Sequence, residues 1–524
     1  MQEQLTRRRF LAIGAAFGIS SLVAACAAPT PATPTTAPIA ATPTTPAAQA
    51  TTAPAQQAAP TAASAPAQQP SASPTAAAAA QPTTAAQPTV AAQPKTTTQA
   101  QLFFWGAHSG APEVQAYKDM AAEFTKLNPN ITFSMVQGGS GQQNFNEVLL
   151  ARIAAGNPPD VTVVWDSPVS LGARGSLVAV DDLMKTAKYS SKENWPTAVL
   201  ASCVWAGKTY GFPTMSASYG MFYNEGWFER VGLPGASSSF PKTWDEMRQT
   251  SKKFTKWNGD TLETAGYIPF DRNWGAELLP AWVGSNGSKT FDSDNRKYTI
   301  DAEANVATLD YFLSWMDEEF KGDITKIRRS GAWGMSPSKE GQPPAWQNER
   351  VAMLMDGSWQ ITSMYNEVPP KFEKWNFAPI PIGPAGTKPV GAFWPNWFAI
   401  PQGTKAREAA FEFIDWLNGD GIRIWYHNVA DLPANKKFPR DLLPETLVKK
   451  RGAEFAKRAL DFFYGQFETS VPMWTSPVED FSVDQLTRAL ERVTAKAAKP
   501  KDALAEAQKA SQAELEKVLK ANPG

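Results

Sequence analysis

The sequence predicts an α/β protein built on a parallel sheet, and three observations lead there. After residue 100, strand-like and helix-like segments alternate in the order strand, helix, strand, helix, strand. The helical segments are apolar on one face, whereas the strand-like ones are short apolar or alternating runs. Asn128-Pro129 and Pro158-Pro159 punctuate their boundaries.

In order, "QLFFWG" from Gln101 is a short apolar strand. "EVQAYKDMAAEFTKLNP" then sets Val114, Tyr117, Met120, Ala121 and Phe124 on one helical face before Asn128-Pro129 stops it. "ITFSMVQ" alternates as a strand, "FNEVLLARIAAG" is helical, and "PPDVTVVW" is a further strand. Ligands of such sheets gather at the carboxyl ends of the strands. Trp165 and Asp166 stand at one of these ends, and Trp105 to Ser109 at another. Further on, "TWDE" from Thr243 forms a capping box, in which the hydroxyl and Glu246 satisfy amides at a helix start. Asn224 is positioned to cap a short helix ending at "GLPG".

The 524 residues leave room for two or more compact units at about 100–200 residues each. Lys plus Arg equals Asp plus Glu, 50 of each, so no net field favours nucleic acid or an anionic membrane surface. Partners are expected to be recognised by local shape. The N-terminus, "MQEQLTRRRFLAIGAAFGISSLVAACAAPT", has basic residues, an apolar stretch too short for an ordinary membrane span, and small residues before a cysteine. "TRRRFL" resembles the twin-arginine consensus, and "VAAC" resembles a lipobox in which Cys26 receives lipid. Acyl chains on Cys26 would anchor the mature protein at a membrane surface. The alternative is an uncleaved short anchor. Cys203 is the only other cysteine, so the mature chain has no internal disulfide available, and Cys203 reads as a small core residue.

From Ala27 to Ala100 the composition is dominated by Ala, Pro, Thr and Gln, without aromatics and with Lys95 as the one charge. So little apolar surface does not offset ordering entropy, and the segment reads as a disordered tether. Thr/Pro-rich stalks can carry O-linked sugar, a matter that composition leaves open.

The segments "AAGNPPDVTVVW", "GKTYGFP", "FYNEGWFERVGLP", "PKTWDEM", "MDGSWQI" and "REAAFEFIDWLNGDGIRIW" resemble, in family order, the extracellular solute-binding proteins of family 1, the sugar-binding subunits of ABC importers. "PKDALAEAQKASQAELEKVL" is similar to the closing helix of that family. The resemblance covers nearly everything after Gln101. It implies a two-lobed periplasmic-binding-protein fold of type II, each lobe a mostly parallel sheet flanked by helices, with a hinge between. The expected organisation is a signal over residues 1–26, a tether over 27–100, one lobe from 101–213 and about 376–430, and a second from about 214–375 and 431–524.

Tryptophan content points the same way. Nineteen tryptophans is a heavy load, and several lie in irregular polar surroundings such as "DRNWGAELLPAW", "GAWGMSP" and "GAFWPNWF". Core packing accounts for any single indole. A sugar, however, presents an apolar C–H face and a rim of hydroxyls, so its cleft needs flat aromatic platforms with carboxylates and amides in the ring plane. The resemblance places Trp165 and Asp166 at the first-lobe crevice, with His108 and Ser109 in the loop after the first strand. For His108 an exposed loop position is the competing reading. Ser216, Ser218 and Tyr219 follow the hinge-like "GFP". Trp274 matches an aromatic laid over sugar in the second lobe, and Trp359 a stacking residue at a helix start near Asp356. Phe393, Trp394, Asn396 and Trp397 match a segment returning to the first lobe, bulkier here than the Gly-rich run of many relatives.

Catalysis is the rival class. A glycosidase needs two carboxyl groups about 5–10 Å apart, which Asp166 and Asp356 could supply, although a sugar cleft uses such groups as acceptors. HExxH, GxSxG and GxxxxGK[ST] are absent, and two histidines, His108 and His427, poorly supply a metal site or a triad. The expectation is therefore a binding protein with no enzyme activity, cofactor or metal. It is expected to be a monomer at the outer face of the cytoplasmic membrane, taking a mono- or oligosaccharide and docking on ABC permease subunits. A ligand-sensing receptor component on the same fold is the third reading.

Overall fold

The computed structural model describes residues 99–139, 145–270, 275–331, 333, 344–363, 371–429 and 431–521. The leader, the tether up to residue 98, Cys26 and Trp274 lie outside the described residues, and Ala100, read as the last tether residue, instead opens the first strand.

Strand β1 (Ala100–Gly106) leads into helix α1 (Ala111–Leu127), which has proline in its first turn and buries Ala116, Tyr117, Met120, Ala121 and Phe124. A Cβ on Gly106 would stand 2.4 Å from the Tyr117 ring, so α1 seats against β1 only because position 106 has no side chain. Strand β2 (Ile131–Gln137), helix α2 (Phe145–Ala154), strand β3 (Val161–Val164) and the short helix α3 (Pro168–Ala173) follow. β1 pairs in parallel with both β2 and β3. The parallel α/β start read from the sequence is present.

Strand β4 (Phe212–Asn224) is 13 residues long and buried throughout. It runs into helix α4 (Glu225–Arg230), where the Asn224 side chain accepts from Trp227 N at 3.2 Å. Gly232, with φ +74°, takes the left-handed conformation after that helix. Helix α5 (Trp244–Lys252) carries the complete capping box of Thr243 and Glu246. Beyond helix α6 (Glu303–Glu319) come strands β5 (Met353–Gly357), β6 (Trp375–Ala378) and β7 (Phe393–Ala399).

The strand order is β5-β4-β7-β3-β1-β2, with β6 also paired to β4. β7 runs antiparallel to β3 and to the first part of β4, while β5 and β6 run antiparallel to its second part. The sheet is therefore mixed, parallel on the β2-β1-β3 side and antiparallel along β4 and β7. These two strands lie between the parallel half and the strands on the far side.

Helices α7 (Arg407–Trp416) and α8 (Ile422–Val429) are joined by a π-turn over Leu417–Gly421. At this turn Asn418 accepts from Thr214 Oγ1 of β4 at 2.5 Å and donates to Ser190 Oγ at 2.8 Å. Asp415 accepts from the backbone N–H groups of Lys188, Tyr189 and Ser190 at 2.7–2.9 Å. Helix α9 (Ala453–Glu468) packs on β4, and α10 (Glu479–Thr494) pairs with the closing helix α11 (Pro500–Ala521), which also meets α6. Trp195, Trp244, Trp282, Trp315, Trp346, Trp375, Trp397 and Trp425 are fully buried, so much of the tryptophan load is core packing. Cys203 is buried, and its surroundings push the thiol pKa up. Among the described residues no helix is long and apolar enough to cross a membrane.

Candidate functional site

β3 ends at Val164 and delivers Trp165 and Asp166, both half-buried, to the carboxyl edge of the parallel strands. Ser167 then caps α3, accepting from Val169 N at 3.1 Å with Pro168 in the first turn. The Asp166 carboxyl is raised to about 7, first by burial and then by the like charge of Asp480, with Arg174 after α3 pulling the other way. A carboxyl so placed gains from any hydroxyl that reaches it, because donated hydrogen bonds favour its charged form.

The loop after β1 brings His108 to the same edge. Its ring is 5 % exposed, which excludes an exposed loop position, and it shares a hydrogen bond with the Tyr117 hydroxyl. It meets Trp165 and Trp425 edge-on, at 5.3 and 4.9 Å between centroids. Ser109 beside it is exposed.

On β4 the serine hydroxyls point into packed protein: Ser216 Oγ donates to Pro213 O at 2.9 Å and Ser218 Oγ to Phe463 O at 2.6 Å. Tyr219 stands opposite Gly357 of β5, and its ring lies edge-on to Trp359. Trp359 is half-buried and folds back over Gly357, where a Cβ would lie 2.3 Å from its ring. Asp356 is fully buried and accepts from Gly357 N at 2.8 Å and Gln360 Nε2 at 3.2 Å. Its carboxylate thus binds the turn that carries Trp359.

Along β7, Phe393 is buried opposite Ser218, and Asn396 donates to Asp431 Oδ2 at 3.3 Å. Trp397 is fully buried, its indole N–H donating to Ser202 Oγ at 2.9 Å. Trp394 is half-buried. Its ring meets that of Trp474 at 5.2 Å and 75°, and Trp474 also meets Trp397 at 6.3 Å. Trp474 Nε1 is buried without a hydrogen-bond partner among the described residues, and Trp474 O lies 2.7 Å from Ser167 Oγ. One contact thus joins the Trp394–Trp474 pair to the turn bearing Trp165 and Asp166.

The sequence profile of the bacterial extracellular solute-binding proteins matches residues 109–423, more than half of the chain. The chain belongs to that family. It is 25 % identical over 323 residues to the arabinooligosaccharide-binding protein of Bacillus subtilis, a match covering 61 % of this chain and 70 % of the relative. It is likewise 25 % identical over 292 residues to a maltooligosaccharide ABC transporter solute-binding lipoprotein of Streptococcus pneumoniae, covering 54 % of this chain and 61 % of the relative. Among solved structures, CpMnBP1 with mannotriose bound superposes with a TM-score of 0.59 at 23 % identity, covering 79 % of this chain and all of the other. That likeness gives this solute-binding protein the two-lobed type II fold.

Trp474 is the residue that sequence reasoning missed. Its segment, "SVPMWTSP", has the irregular, proline-flanked character of the three stretches singled out for their tryptophans, and that signal could have found it. Asp480 was missed for another reason: it lies more than 300 residues from Asp166, and nothing local connects the two. Among the described residues, no group of three or more His, Cys, Asp or Glu side chains could hold a metal ion.

Proposed function

We propose that this solute-binding protein captures a neutral mono- or oligosaccharide by closing two lobes on it and presents it to ABC permeases. The lobes are residues 101–213 with about 376–430, and about 214–375 with 431–524. The observation that carries the reading is the set of incompletely buried tryptophans from separate elements, Trp165, Trp359 and Trp394, the last of which meets Trp474 ring to ring. Such residues offer flat faces to sugar C–H groups, while the half-buried Asp166 carboxyl faces the hydroxyl rim. Relatives named for arabinooligosaccharides and maltooligosaccharides support the same ligand class. His108, Ser109 and Tyr219 flank these rings. Ser216, Ser218, Asp356, Phe393, Asn396 and Trp397 support them from behind, and Trp274 is assigned to the second-lobe face by resemblance alone.

Ligand first meets one lobe, and contacts with the other form only on closure, so the ligand shifts the population toward the closed form. The protein acts without catalysis or cofactor, as a monomer. It is exported through its twin-arginine-like signal and held at the outer face of the cytoplasmic membrane by lipid on Cys26.

A thermal-shift screen over neutral mono- and oligosaccharides tests the reading. A sugar at a hundred times its dissociation constant adds about 2.7 kcal/mol of stability. Mass spectrometry of the recovered sugar should show it intact. Stabilisation by charged solutes with none by any sugar would contradict the proposal, and so would a cleaved product.

A further inference from the structure

A hydroxyl has one proton to donate, yet Ser167 Oγ faces two carbonyls, Ser202 O at 2.9 Å and Trp474 O at 2.7 Å. The two acceptors belong to different parts of the molecule. Ser202 is tied to the parallel half, since its hydroxyl takes the Trp397 indole N–H and Trp397 pairs with Val164 of β3. Trp474 arrives on a segment anchored on both sides, to Gly391 before it and to Tyr298 of the second lobe after it. Just before it, Val471 N donates to Gly391 O, and just after it Ser476 Oγ accepts from the Tyr298 hydroxyl at 2.7 Å. Between these anchors Trp474 has φ +61°, a left-handed conformation that is costly for a bulky side chain and persists only where its surroundings hold it.

We propose that Ser167 is a positioning residue for ligand capture. In the ligand-free chain its proton switches between Ser202 O and Trp474 O, and the second bond latches the crossing segment onto the first lobe and sets the Trp474 ring at the cleft. This rests on the two-lobe capture reading above. Strain at Trp474 opposes the latch. Donation to Ser202 O instead frees the segment without leaving the hydroxyl unsatisfied, so the latch opens without stranding a buried donor. A partly latched cleft has its aromatic face preassembled, which lowers the ordering cost met by an incoming ligand.

The test measures an interlobe distance by paired spin labels in the full-length chain without ligand. Labels are placed at Lys118→Cys on α1 and Lys253→Cys after α5, both exposed, in a Cys26→Ala background where buried Cys203 stays unlabelled. Ser167→Gly removes the hydroxyl but keeps a residue tolerated at a helix N-cap. It should raise the longer-distance population several-fold, and Ser167→Thr should restore the wild-type distribution. An unchanged distribution in Ser167→Gly would overturn the latch, as would a shift that Ser167→Thr fails to reverse. A purely structural role would lower the melting temperature and leave the distances alone. No sugar enters the measurement, so failure of the carbohydrate reading and failure of the latch are separate results.

Discussion

Trp359 stands edge-on to Tyr219, with ring centroids 5.4 Å apart and planes at 85°. Tyr219 belongs to β4, whereas Trp359 follows β5, so the pair fixes an indole at the end of β5 against the neighbouring strand. In the proposed capture of a sugar, its half-buried face is the surface the ligand would cover.

Alanine at Trp359 or Trp394 should weaken sugar binding by about 1–3 kcal/mol and cost far less ligand-free stability than loss of a core indole. Trp397→Ala should do the reverse. Its buried ring and its bond to Ser202 predict a loss of about 3–5 kcal/mol in stability. Denaturant melts of the three variants without ligand, beside calorimetric titrations, separate the two behaviours.

Asp166→Asn should move stability and binding in opposite directions. The folded-state pKa of about 7 lies above the ordinary aspartate value of 3.8, so the folded chain holds this proton more tightly than the unfolded one. The stabilising contribution is complete below about pH 4 and is lost as pH rises through 7. An amide removes the cost of the buried charge, so the variant should melt a few degrees higher than wild type above pH 7 and show a flatter profile between about pH 4 and 7. Its sugar affinity should fall, because an amide oxygen accepts hydroxyl protons less strongly than a carboxylate. Equal melting profiles at pH 5 and 8 for both proteins would refute the burial argument.

Asp415→Ala should lower stability by about 2–4 kcal/mol, since three backbone N–H groups at 188–190 lose a charged acceptor. Sugar affinity, measured well below the melting temperature, should stay within a few-fold of wild type. A normal melting curve would show that water replaces the carboxylate at no cost.

Cys26→Ala should release the exported protein from membranes without changing its sugar affinity, because one lipidated cysteine is the expected anchor and no described helix crosses a bilayer. Detergent-free fractionation reads the outcome. Undiminished membrane retention would move the anchor elsewhere.

Local signals in the sequence were enough for the first five elements, whose boundaries fall within about three residues of the periodic segments, and for the caps at Asn224 and Thr243. β4 was not legible as a long strand. "FPTMSASYGMFYN" is buried on both faces, so it lacks alternation, and its partners lie more than a hundred residues away in sequence. The site divides in the same way. Strand-end position identified Trp165 and Asp166, but Trp394 and Trp397 look alike in sequence and differ in burial. β7 is buried at every position except Trp394, so alternation does not sort them. Trp474 reaches Ser167, and Asp480 reaches Asp166, only through tertiary packing across some 300 residues, a relationship with no local trace.

The most direct test of the account is calorimetric titration of the wild-type protein and a Trp359→Ala/Trp394→Ala double variant with the neutral oligosaccharide that most raises the wild-type melting temperature. Wild type should bind saturably and one-to-one, and the double variant at least a hundredfold more weakly, about 2.7 kcal/mol at roughly 1.4 kcal/mol per tenfold. Wild-type affinity in the double variant would contradict it.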